Sequence, residues 1–86
     1  MTNQEGAARW EELRTVWGKL PDSIDIISVY LSDTYTGCIH AELNLNAGIM
    51  EAAAALGVQN LDIQTFKNGG TKQYFTYNGV SIVQYG

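Results

Sequence analysis

The chain has 86 residues, 45% of them hydrophobic, which excludes a disordered protein and suits one domain spanning 1–86, near the lower limit for folding without staples. One cysteine excludes an intrachain disulfide, residues 1–10 lack a signal-peptide pattern, and no apolar run reaches the roughly 20 residues that span a bilayer; a soluble protein of the reducing cytoplasm is expected. The net charge is −4, and residues 20–66 hold six acids (Asp22, Asp25, Asp33, Glu42, Glu51, Asp62) with no Lys or Arg, so a basic footprint for direct nucleic-acid binding is missing.

Thr2 and Glu5 have the spacing of a capping box. Trp10, Leu13, Trp17 and Leu20 then recur at helical spacing with Val16 beside them, and the pattern predicts an amphipathic helix whose two indoles anchor it to a sheet. Gly18 and Pro21 stop it.

Residues 23–33, SIDIISVYLSD, are rich in β-branched side chains and predict a strand. The alternation changes phase, Ile24 and Ile26 on one face and Ile27, Val29 and Leu31 on the other, which means either that both faces are partly covered or that a bulge near Ile26 resets the register. DTYTG (33–37) supplies turn chemistry, and GCIHAELNL (37–45) returns as the second strand of a hairpin. Ile39, Ala41, Leu43 and Leu45 form its inward face, with Cys38, His40, Glu42 and Asn44 opposite.

Asn44 or Asn46 is placed to cap a second helix over 47–57, with Ile49, Ala53 and Leu56 as its apolar stripe and Gly57 as its stop. A third strand within 60–70 ends in the glycine turn NGG, whose surroundings lack the Lys-Ser/Thr of a phosphate loop. Asn78-Gly79 between two β-rich runs predicts a type I′ hairpin, with Tyr77 opposite Val80, Phe75 opposite Ile82 and Gln73 opposite Gln84. The fold class is therefore α+β in the order αββαβββ. Short connections favour a twisted antiparallel sheet with both helices on one face.

Two groups of residues bear on function. Cys38, His40 and Glu42 form a row that offers nucleophile chemistry or metal ligation, but no second Cys or His exists to complete a zinc site. Neither a catalytic residue nor a cofactor or metal is assigned. On the face of the last hairpin turned away from the helices, Tyr74, Val83 and Tyr85 have the aromatic-rich composition of an interface, and a C-terminal edge strand there could pair with another chain. These three, with Asp25, Asp33 and Glu42, are the expected partner-binding residues.

The expected function is that of a small acidic, non-enzymatic binding protein with a protein partner bearing a basic surface. By analogy of size and charge, an inhibitor of a nucleic-acid-binding machine, of the phage anti-defence or anti-CRISPR type, is one form this takes. The alternatives are a homodimer, a dimeric small-ligand-binding module with a pocket between helix and sheet, or a small enzyme using Cys38 and His40.

Overall fold

A computed structural model describes residues 1–33 and 38–86. The elements are α1 (Asn3–Gly18), β1 (Asp25–Asp33), β2 (Ile39–Ala47), α2 (Ile49–Ala55), β3 (Asp62–Thr65), β4 (Thr71–Tyr77) and β5 (Val80–Tyr85). The class and the order αββαβββ are those expected. The predicted DTYTG turn lies, apart from Asp33, outside the described residues.

The sheet order is β1-β2-β5-β4-β3. It is mixed, not wholly antiparallel: β2 and β5 run parallel, and every other neighbouring pair is antiparallel. A parallel neighbour needs a long crossover, and α2 together with the β3–β4 hairpin provides it. The C-terminal strand is consequently interior, not an edge; β1 and β3 are the edges.

Local chemistry accounts for each element. The capping box at Thr2 and Glu5 forms in both directions, each bond 3.1 Å. Of the two alternatives for β1 the bulge is the one that forms, with register shifts between Asp25 and Ile26 and between Ile26 and Ser28; it puts Ile26 on the inner face with Val29 and Leu31 and leaves Ile27 exposed. Asn78 (φ 48°) and Gly79 (φ 75°) adopt the left-handed conformations of the type I′ turn, and all three predicted cross-strand pairs form.

The cap of α2 differs from expectation. The N-cap position is Gly48 at φ 99°, with no side-chain bond of its own. A Cβ there would approach Ile24 Cγ1 to 3.1 Å and Ile24 Cα to 3.3 Å, so both conformation and space require glycine. Asn44 lies inside β2, and Asn46 donates to Asp25 Oδ2 at 3.0 Å. The orphan N–H of Ile49 donates to Oε1 of Gln84 at 3.0 Å, a partner supplied by β5.

The inner face is built in rows across the strands: Leu31–Ala41–Val80–Tyr77, Val29–Leu43–Ile82–Phe75 and Ile26–Leu45–Gln84–Gln73. Leu13 and Val16 of α1 and Ile49, Ala52 and Ala53 of α2 join the inward side chains of these rows in one core cluster, so both helices cover this face. The tryptophans do not anchor α1 as predicted. They are 39% and 38% exposed and meet edge to face with ring centroids 6.5 Å apart. The buried stripe follows Leu13, Val16 and half-buried Leu20, which turns Trp10 and Trp17 onto one flank of the helix. Arg9 takes the expected place of an anchor: Nε donates to the Ile39 carbonyl at 3.1 Å, and Nη2 donates to the Gly79 carbonyl.

Candidate functional site: the outer face of the sheet

The face opposite the helices is defined by the same registers. Its central row is Ser28–Asn44–Val83–Tyr74–Asp62, and the next row is Tyr30–Glu42–Ser81–Thr76. Lys72 and Tyr85 pair beside the first row. Alternation along β2 and β5 sends these side chains away from the core.

Val83 is the unusual member. It is 1% exposed, yet it stands outside the cluster that the helices cover. Its row neighbours Asn44 and Tyr74 are half-buried. The Lys72 ammonium lies 4.9 Å from the centroid of the Tyr74 ring, and Tyr85 stacks on Phe66 at 6.4 Å. Tyr30 and Tyr85 remain 47% and 50% exposed. The surface thus combines one buried valine with tyrosines on β1, β4 and β5.

Beside Val83 two polar atoms are buried without a hydrogen-bond partner, Ser28 Oγ and Asn44 Oδ1. They belong to cross-strand partners in one row. Buried polar atoms are satisfied in the great majority of cases, so this row departs from ordinary core construction.

The expected partner-binding residues divide into two sets. Tyr74, Val83, Tyr85 and Glu42 share the outer face. Asp25 and Asp33 stand at the two ends of edge strand β1 and do not join them. Asp25 accepts from Asn46, and Asp33 forms an ion pair with the Met1 amine. The Asp33 carboxylate hydrogen-bonds that amine and holds its pKa above the ordinary value. Sequence reasoning set Asn44 on the outward side of β2 but missed that it and Ser28 share a row with Val83, because that row depends on β5 entering next to β2.

The row of Cys38, His40 and Glu42 is broken at its start. Cys38 is exposed and precedes β2. His40 Nε2 lies 3.2 Å from Glu42 Oε1, an imidazole–carboxylate pair at the solvent edge of the outer face. Among the described residues no three His, Cys, Asp or Glu side chains gather as metal ligands. No helix among the described residues is long and apolar enough to cross a membrane. Comparison with known proteins leaves this geometry as the basis for a functional reading: no protein family, curated protein or solved structure matches the chain.

Proposed function

We propose that this protein is a small non-enzymatic binding protein that docks on a protein partner through the outer face of its sheet. The observation that supports this reading is Val83, buried on the face without helices, with Tyr74 opposite it on β4 and Tyr85 two residues along β5. Interfaces concentrate aromatic side chains around a desolvated centre. The partner's surface is basic: Glu42 and Asp62 outweigh Lys72 on the docking face, and the chain as a whole carries a net charge of −4. Antagonism of a nucleic-acid-binding machine, of the anti-defence type, is the finer form of this proposal and rests on that charge.

The experiment is affinity capture from the native host, followed by binding measurements with the purified partner. Tyr74→Ala and Tyr85→Glu should each weaken binding tenfold or more, roughly the cost of losing an aromatic hot spot. Glu12→Gln, on the exposed side of α1, should leave it unchanged. Equal affinity across all three variants would overturn the assignment of the face. Affinity that falls steeply with added salt supports the basic partner, and salt-insensitive affinity removes the antagonist form. If the captured species is a second copy of the chain, Tyr85→Glu should halve the mass in solution.

A further inference from the structure

We propose that Asn68 is a self-modification site, whose side-chain amide is converted without an enzyme to aspartate and isoaspartate through attack by the backbone nitrogen of Gly69. Two Asn-Gly pairs occur in the chain, Asn68-Gly69 and Asn78-Gly79. Both are exposed, and both lie in turns. Glycine after asparagine leaves the attacking nitrogen open to approach, because no Cβ shields it. By sequence the two pairs are equivalent, and the fold separates them.

The chemistry needs only water. The Gly69 nitrogen, its proton passed to solvent base, attacks Cγ of Asn68; a C–N bond forms and the side-chain nitrogen leaves as ammonia. Water then opens the five-membered imide. Cleavage at Cγ gives aspartate, and cleavage at the backbone carbonyl carbon gives isoaspartate, in which the main chain runs through the former side chain.

The surroundings of Asn68 favour this step. Negative charge builds on Oδ1 during the attack, and the Gly70 N–H already donates to that atom at 3.0 Å, in the role of an oxyanion donor. The Gly69 N–H donates to the Phe66 carbonyl at 3.0 Å. This loop hangs from β3, a four-residue edge strand that is exposed throughout, so the opening that frees the nitrogen is local. Asn78-Gly79 is held more firmly. It joins β4 and β5, both inside the sheet, and the Gly79 carbonyl accepts from Arg9. Ring closure there must dismantle a type I′ turn whose strands are paired up to Tyr77 and Val80.

The product reaches the outer face. Isoaspartate adds a methylene to the main chain of the turn that carries Phe66, and the Phe66 ring stacks on Tyr85. That consequence holds whether or not the face docks a partner.

The test ages the full chain at physiological temperature in mildly alkaline buffer, folded and in denaturing urea, and digests it with trypsin. Cleavage after Lys67 and Lys72 puts the two sites in separate peptides, 68–72 and 73–86. In the folded chain, the mass gain of amide-to-acid conversion should appear roughly tenfold faster in 68–72, a barrier difference of about 1.4 kcal/mol. In urea the two rates should converge. Asn68→Gln, which would need a six-membered ring, should abolish conversion in 68–72 and leave 73–86 unchanged. The Tyr85 ring resonances should shift in the isoaspartate form, and unshifted resonances would overturn its reach to the outer face. Equal rates in the folded chain, faster conversion at Asn78, or no conversion at Asn68 would overturn the site itself.

Discussion

At the scale of single residues, Ser28 and Asn44 are where the molecule departs from its own construction rules. Each buried, unpartnered polar atom costs about 1–3 kcal/mol, whereas replacing both by apolar groups removes that penalty. The double variant Ser28→Ala, Asn44→Val should therefore unfold at an equal or higher urea concentration, and a clear loss of stability would contradict this account. If the outer face is the docking surface, the same variant should bind the partner more weakly, because a row kept at a stability cost is kept for function. Neither residue stands out in the sequence. A serine in one strand and an asparagine in the next become neighbours only through the bulged register of β1 on β2.

At the scale of elements, the start of α1 and the last hairpin were legible because their signals are local. The Thr2–Glu5 box lies within one turn, and its pH behaviour follows from its geometry. The Thr2 backbone N–H donates to the Glu5 carboxylate and holds its pKa below the ordinary 4.5. A depressed carboxylate contributes stability above its unfolded pKa and loses it as pH falls through the folded value. Glu5→Gln should therefore be less stable than the parent at neutral pH, with the gap closing under acid below the folded pKa. Urea midpoints across that range measure it, and parallel curves would exclude the cap as the source. The α2 cap was not legible, because its acceptor is Gln84, supplied from a strand at the far end of the chain. The tryptophans misled for a related reason. Trp10 and Trp17 share helical spacing with Leu13 of the true core stripe, and packing against β2, not periodicity, selected which flank is covered.

At the scale of the whole molecule, one core cluster joins both helices and the inner sheet face, so unfolding should be cooperative. Leu43 sits at its middle, fully buried between Val29 and Ile82 in the central row. Leu43→Ala should cost about 2–5 kcal/mol, read as a lowered urea midpoint with a single transition. A second transition would show that the β3–β4 end unfolds on its own.

The chain by itself determined its five strands and two helices, the inward face of β2 and the register of the β4–β5 hairpin. These follow from turn chemistry, capping and a period of two, which act over a few residues. Only the tertiary structure decided that β5 lies between β2 and β4, parallel to one and antiparallel to the other. That insertion set Val83 beside Asn44, brought Glu42 to the same face as Tyr74 and Tyr85, left Asp25 and Asp33 at the ends of an edge, and gave α2 its cap from Gln84. Each of these contacts joins residues far apart in the chain, where pairing is chosen by burial of the whole sheet rather than by any local pattern.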